Sequence, residues 1–324
     1  IRFGSFELFS SQNDIENLKL LADYTISNYY SEIQTEGKEK YIQFFKNVAE
    51  KTREMIVHWQ RVGFVHGVMN TDNMSIHGIT IDYGPYGWLE DYNPNWTPNT
   101  TDAEGKRYRF GNQANIALWN LYQLANALYP LIEEAEPLET ILNNFAKKYD
   151  EDFSEMMLKK LGITSKNEEN DKLIQQLLYN LEQTETDFTI FFRNLNQINT
   201  TDSVEECVSK INFAFYKPEE VTGIILETWH FWFAQYLSIL KEETASDDER
   251  KLLINSINPK YVLRNYMAQT AIELAEKEDY SLIDELYTLL LNPYDEQPKF
   301  EKWYAKRPDW ARQKIGSSML SCSS

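Results

Sequence analysis

Helical periodicity runs through almost the whole chain and is clearly interrupted only at residues 68–92. The stretch Asn13–Tyr30 opens on a residue type that caps helices and carries apolar residues at helical spacing. A second stretch ends at Gly63, a residue type common just after helix C-termini. The pattern returns after Gly111, and amphipathic stretches continue from Leu138 to the end. The sequence therefore predicts a mainly α fold with one non-helical segment.

That non-helical segment has the pattern of a small β-hairpin. In "NMSIHGITID", His77 and Gly78 separate two short alternating runs, and glycine suits the second position of a two-residue turn. With this turn one face is wholly apolar and the other wholly polar, so turn and alternation agree on one register. The predicted pairs are Ile76 with Ile79, Met74 with Ile81, Ser75 with Thr80, and Asn73 with Asp82.

The last of these pairs predicts a metal site at the open end of the hairpin. Directly opposed residues have Cβ atoms about 5 Å apart, which would bring Asn73 and Asp82 side by side. Two oxygen-bearing side chains at that separation can share Mg²⁺, with phosphates and water completing the octahedron. The alternative is ordinary turn chemistry, in which Asn and Asp only shape the backbone.

A loop before the hairpin, "HGVMNTDN", has the spacing of a kinase catalytic loop, in which an Asp accepts the proton of the substrate hydroxyl. His66, a glycine and Asn73 are kept, but Val68 stands where the Asp belongs. The downstream "DYG", which begins at Asp82, takes the place of D-F-G. His66 also fits a buried histidine that hydrogen-bonds to the backbone. The segment is kinase-like but lacks the usual base.

Composition excludes several classes of function. The chain has 324 residues, of which 42% are hydrophobic and 14% aromatic, as expected for a globular protein. A net charge of −18 argues against binding to nucleic acids and to anionic membranes, because a strongly acidic chain cannot neutralise their phosphates. No apolar run approaches the roughly 20 residues that span a bilayer. The two cysteines, Cys207 and Cys322, provide no disulfide framework.

The segment "HGVMNTDNMSIHGITIDYGPYGWLEDYNPNW" resembles the selenoprotein O family closely. The stretches "IRFGSFE", "RFGNQANIALWNLYQLA", "NPKYVLRNYMAQ" and "YAKRPDWA" resemble it too, so the resemblance covers almost the whole chain. It implies a kinase-like fold and protein AMPylation, which is the transfer of AMP from ATP to Ser, Thr or Tyr hydroxyls of client proteins. It also implies a divalent metal, Mg²⁺ or Mn²⁺.

The resemblance also assigns roles to residues. Asp72 matches the catalytic base of the family, and Asn73 and Asp82 match its metal ligands. Asp82 also meets ATP, and Arg2 matches an arginine that contacts the nucleotide phosphates. A guanidinium suits that task because it binds phosphate in a bidentate manner. Tyr83 replaces the usual Phe of D-F-G and should pack rather than react.

The resemblance implies two regions within the chain. Residues 1–135 are expected to form a kinase-like C-lobe with the catalytic loop and the DYG segment. Residues 136–324 are expected to form a helical region that ends in a redox-type cysteine tail at Cys322, with Cys207 as a small core residue. The N-terminal lobe and its phosphate-covering loop would precede Ile1, so the chain is expected to be an inactive fragment of an α+β protein.

Other functions stay open from the sequence. UMP transfer with Mn²⁺ is one, because the residues that select the base would precede Ile1. A conventional phosphotransferase is a second, although Val68 counts against it. A catalytically silent binding module is a third, and the Asn73 and Asp82 pair counts against that. The expected location is the cytoplasm in a bacterium and the mitochondrion in a eukaryote.

Overall fold

Helices form most of this chain, as the sequence predicts. The computed structural model describes residues 1–314, 316–317 and 320. The helices are α1 (Phe3–Ser11), α2 (Ile15–Tyr29), α3 (Lys38–Val62), α4 (Gln113–Ile132), α5 (Glu136–Lys160), α6 (Glu168–Gln183), α7 (Phe188–Asn194), α8 (Val204–Ile211), α9 (Gly223–Glu242), α10 (Asp247–Ile257), α11 (Asn265–Ala275) and α12 (Ser281–Leu290). Two short strands, β1 (Phe64–Val65) and β2 (Gly87–Trp88), pair antiparallel. The expected mainly α fold with a small antiparallel β element is confirmed.

Local capping explains where several helices begin and end. The side chain of Asp14 accepts a hydrogen bond from the Asn17 backbone N–H and starts α2, one residue after the predicted cap. Gly63 adopts the left-handed conformation, with φ of 73°, and ends α3 as predicted. Ser203 and Ser246 each form a complete capping box at the starts of α8 and α10.

The hairpin predicted for residues 73–82 is wrong in register. Met74 forms an isolated antiparallel bridge with Thr80, not with Ile81, and Ile79 is 55% exposed instead of buried. The reason is that residues 74–76 pair with the start of the chain. Arg2 and Ser75 form a bridge, with backbone hydrogen bonds from Phe3 N to Met74 O at 3.0 Å and from Ile76 N to Ile1 O at 3.2 Å.

Three hydrophobic clusters make up the described core. The first packs α1–α4 with the N-terminal half of α5, and the second packs the C-terminal half of α5 with α6–α10. The third, smaller cluster lies around α11 and α12. Since α5 contributes Phe145 to the first cluster and Met157 to the second, the helix joins the two. The division of the chain at residue 135 stays a prediction.

Of the two cysteines, Cys207 lies in the part of the chain that the structure describes. Cys207 lies in α8 and is fully buried in the second cluster, so its prediction as a core residue is confirmed. Burial raises the pKa of its thiol to about 12, which leaves it unreactive at neutral pH. Cys322 lies outside the described residues.

Candidate active site

The loop that follows β1 is fastened to the DYG segment through His66. The Nε2–H group of His66 donates to the Ile81 carbonyl at 2.8 Å, and Nδ1 accepts from the Val68 backbone N–H at 3.4 Å. Burial lowers the pKa of His66, which favours the neutral ring that these two bonds require. His66 therefore has the structural role that the sequence left open: it holds the loop in place.

Buried amide side chains brace the same loop from outside. Gln113 accepts from the His66 N–H at 3.1 Å and donates to the Phe64 carbonyl at 2.9 Å. Asn120 donates to Met69 O at 2.9 Å, and Asn99 donates to Gly67 O at 3.1 Å. Sequence reasoning missed these three residues. For Gln113 and Asn120, the available signal was a polar residue on the apolar face of a helix.

Asp72 and Asn73 lie in a short 3₁₀ turn, Thr71–Asn73, at the end of this loop. The Asp72 carboxylate is exposed, and it has no hydrogen bond or ion pair within the described part of the chain. Asn73 donates its side-chain N–H to the Val68 carbonyl at 2.9 Å, which fixes the amide and leaves its oxygen available as a ligand. The turn thus presents a carboxylate and an amide oxygen next to each other in sequence.

Asp82 opens the DYG segment in an uncommon backbone conformation. Its φ is 60°, in the left-handed region where Asp and Asn are the most frequent residues after Gly. The Gly84 N–H donates to the Asp82 carbonyl at 2.8 Å, and the Asp82 side chain is exposed to solvent. Tyr83 is 60% exposed, although its ring contacts Tyr86 edge-to-face, so it packs only on one side.

Arg2 reaches this site through the pairing of the chain start with residues 74–76. One guanidinium nitrogen of Arg2 lies 3.6 Å from a carboxylate oxygen of Asp82, and both side chains are about half exposed. The structure therefore brings Arg2 and Asp82 together and keeps Asp72 beside Asn73. It does not form the predicted strand pairing of Asn73 with Asp82.

The oxygen-bearing side chains at this site suit a divalent cation that would also be bound by the phosphates of a nucleotide. Among residues 1–314, 316–317 and 320, no three His, Cys, Asp or Glu side chains are grouped to hold a metal. The exposed Asp82 carboxylate and the Asn73 oxygen are hard oxygen donors, as Mg²⁺ requires. Mg²⁺ usually takes one or two protein ligands and completes its shell with substrate phosphates and water.

The candidate residues do not line the large cleft on this molecule. A cleft of about 900 Å³ lies between α3 and α5, and its lining contains none of Arg2, Asp72, Asn73 and Asp82. The candidate site is instead an exposed surface formed by the loop, the DYG segment and the start of the chain.

No helix in the part of the chain that the structure describes is long and apolar enough to cross a bilayer.

A family model described as "Protein adenylyltransferase SelO" matches residues 1–291. The chain belongs to the SelO family. The resemblance noted in the sequence is therefore confirmed. The matched range contains the loop, the DYG segment and the candidate site residues Arg2, Asp72, Asn73 and Asp82.

Curated relatives of this SelO chain are named "Protein nucleotidyltransferase YdiU". The protein of Flavobacterium johnsoniae is 64% identical over all 324 residues, which cover 62% of its own length. That of Aromatoleum aromaticum is 48% identical over 324 residues, 61% of its length, and that of Rhodopirellula baltica is 47% identical over 340 residues, 63% of its length. The chain thus spans about three-fifths of the length of the curated SelO relatives it matches.

Proposed function

We propose that the protein containing this chain transfers AMP from ATP to Ser, Thr or Tyr hydroxyls of client proteins. The observation that carries the proposal is the Asp72 carboxylate. It is exposed and unpaired within the described residues, and it lies in a kinase-like loop whose usual acid is replaced by Val68. The family description, a protein adenylyltransferase, and the relatives' name, protein nucleotidyltransferase, support the choice of reaction.

Asp72 is the proposed general base. It accepts the proton of the client hydroxyl while the hydroxyl oxygen attacks the α-phosphorus of ATP. A bond from that oxygen to phosphorus forms, the bond to the β-phosphate bridging oxygen breaks, and pyrophosphate leaves. Val68 has no group that could accept the proton. Arg2 binds the phosphates, for which its guanidinium offers paired donors.

Asn73 and Asp82 are the proposed residues that hold Mg²⁺ or Mn²⁺ with the nucleotide. The cation, when bound, neutralises phosphate charge during transfer. Asp82 also contacts ATP, and its closeness to Arg2 supports a shared nucleotide role. The Arg2 guanidinium lies 3.6 Å from the Asp82 carboxylate, so the proposed phosphate-binding residue is next to the proposed metal ligand.

We also propose the wider arrangement that the family resemblance implies. Residues 1–135 would form a kinase-like C-lobe, and residues 136–324 a helical region. The full-length protein would act on client proteins rather than on nucleic acid. Of the two locations expected from the sequence, relatives from bacterial organisms favour the cytoplasm.

UMP transfer is the second candidate, since the relatives' name specifies nucleotidyl and not adenylyl transfer. It would use the same residues, with UTP and Mn²⁺ in place of ATP and Mg²⁺. When one enzyme sample is given both ATP and UTP, the mass added to the client distinguishes AMP transfer from UMP transfer. Transfer of the γ-phosphate is disfavoured by Val68, and a silent module is disfavoured by the exposed, unpaired Asp72.

Asp72→Asn in the full-length protein tests the proposal. Turnover should fall by roughly 10²–10⁴, because the base is lost. The Kd for ATP should stay within about twofold of wild type, because the base acts on the acceptor and not on the nucleotide. Asp295→Asn, also an exposed Asp and remote in sequence from the site, is the control and should leave both quantities unchanged. Loss of ATP binding in Asp72→Asn would make Asp72 a ligand and refute its role as base.

A further inference from the structure

We infer that Gly4 is a positioning residue for the Asp72 carboxylate, an inference that rests on the proposed role of Asp72 as base. Gly4 lies in the first turn of α1, directly against the turn that carries Asp72. A Cβ atom built on Gly4 would lie 3.0 Å from Asp72 Cγ and nearer still to Oδ1. Real Cβ atoms essentially never approach other heavy atoms so closely, so any side chain at position 4 must displace the carboxylate.

The α1 helix cannot easily move away to relieve such a clash. Backbone hydrogen bonds on both sides of Arg2 fix the start of the chain to residues 74–76: Phe3 N donates to Met74 O, and Ile76 N donates to Ile1 O. Phe3 and Phe6 of α1 are fully buried in the first hydrophobic cluster. Asp72 is exposed and unpaired in the described structure, so its side chain is the part that gives way.

The backbone at position 4 does not itself require glycine. Gly4 has helical geometry within α1 and is not among the residues with positive φ. Within a helix, glycine is less favourable than alanine because it loses more conformational freedom on folding. Helix stability alone would therefore select another residue here. The contact with Asp72 explains why the sequence has glycine, and it makes the space at Gly4 part of the catalytic arrangement.

Gly4→Ala in the full-length protein tests this inference. Displacing a reacting group by about 1 Å can lower a rate by about 10², so kcat should fall roughly 10–100-fold. The KM for ATP should stay within about twofold, since the nucleotide contacts are unchanged. The Tm should not decrease, because alanine is the better helix former. Gly105→Ala is the matched control, because only one atom lies within 4 Å of its built Cβ, at 3.8 Å, and its kcat should equal wild type.

A double variant shows whether Gly4 acts through Asp72. In the Asp72→Asn background, Gly4→Ala should lower the residual kcat by less than about twofold, since coupled positions are not additive. An equal loss in both backgrounds, a wild-type kcat for Gly4→Ala, or a fall in Tm that accompanies the loss of kcat would each overturn the inference. The carboxyl NMR resonance of Asp72 is a readout without turnover. It should shift in Gly4→Ala, even if the wild-type protein transferred no nucleotide and the proposed function failed.

Discussion

Asp82 combines a functional side chain with a backbone conformation that few residues adopt. Its φ of 60° is tolerated by Asp and Asn because their short polar side chains fit the left-handed region. The same conformation turns the carboxylate outward, where Arg2 meets it. A substitution that removes only the charge must therefore keep this conformation, and Asn does so better than Ala.

Asp82→Asn should abolish nucleotide transfer by the full-length protein and leave Tm close to wild type. The substitution removes the negative charge from one of the two proposed metal ligands, because a neutral amide oxygen binds Mg²⁺ far more weakly than a carboxylate, and it retains the residue's fit to positive φ. Asp82→Ala should lose the same activity and also some stability, about 1 kcal/mol, because alanine fits the left-handed region poorly. Transfer assays with Mg²⁺ and thermal unfolding measure both effects. Near wild-type transfer by Asp82→Asn would contradict the assignment.

At the residue scale, the sequence predicted candidate site residues, whose roles stay predictions, and it predicted their geometry incorrectly. The hairpin register that would pair Asn73 with Asp82 is wrong, because residues 74–76 bond to Ile1 and Phe3 instead. That partner lies more than seventy positions away in the chain, so no local pattern could reveal it. For the same reason the closeness of Gly4 and Asp72 was not predictable.

At the scale of elements, α4 supports the loop that leads from β1 to Asp72 and Asn73. Gln113 and Asn120 lie on its buried face and donate to backbone carbonyls of residues 64 and 69. Periodicity predicted this helix from its apolar residues, but it does not show whether a polar residue on that face is paired. The identity of the partner depends on how the loop folds against the helix.

Asn120→Leu should lower the free energy of unfolding by about 1–3 kcal/mol, because the buried Met69 carbonyl loses its donor. It should also lower kcat, since the loop that ends at Asp72 loses one of its supports. Asn126→Leu, on an exposed position of the same helix, is the control and should change stability by less than about 0.5 kcal/mol. Denaturant unfolding gives the first quantity. Equal effects of the two substitutions would show that Asn120 does not brace the loop.

At the scale of the whole molecule, a buried ion cluster joins the DYG region to the helical region. Arg264, just before α11, pairs with Asp187 at 2.8 Å and also with Glu90, and all three side chains are buried. Burial raises the pKa of Glu90, and the nearby Arg264 charge acts against that rise. The Phe188 backbone N–H also donates a hydrogen bond to the Glu90 carbonyl at 2.8 Å, so the segment after DYG is fixed to α7.

Arg264→Leu should destabilise the protein by roughly 3–5 kcal/mol, because two buried carboxylates lose the cation that pairs with both of them. Lys217→Ala removes an exposed ion pair with Glu220 and is the control, with an expected cost below about 1 kcal/mol. Chemical denaturation of each variant measures the difference. A cost for Arg264→Leu as small as that for Lys217→Ala would mean that the cluster does not hold the two regions together.

The sequence predicted the helical character of the whole molecule, because amphipathic periodicity is a local property. It did not predict the Arg264 cluster, whose members are separated by up to 174 positions. Nor did it indicate that α5 packs into two clusters, with Phe145 in one and Met157 in the other. Those features depend on tertiary packing, which a single sequence pattern does not encode.

Intact mass spectrometry of the full-length protein, with itself as acceptor, tests the central claim most directly. After incubation with ATP and Mg²⁺, the wild-type protein should gain the mass of one or more AMP groups on Ser, Thr or Tyr. The Asp72→Asn variant should gain almost none under the same conditions. A phosphate-sized increment on the wild-type protein, or an AMP increment equally large on Asp72→Asn, would contradict the account.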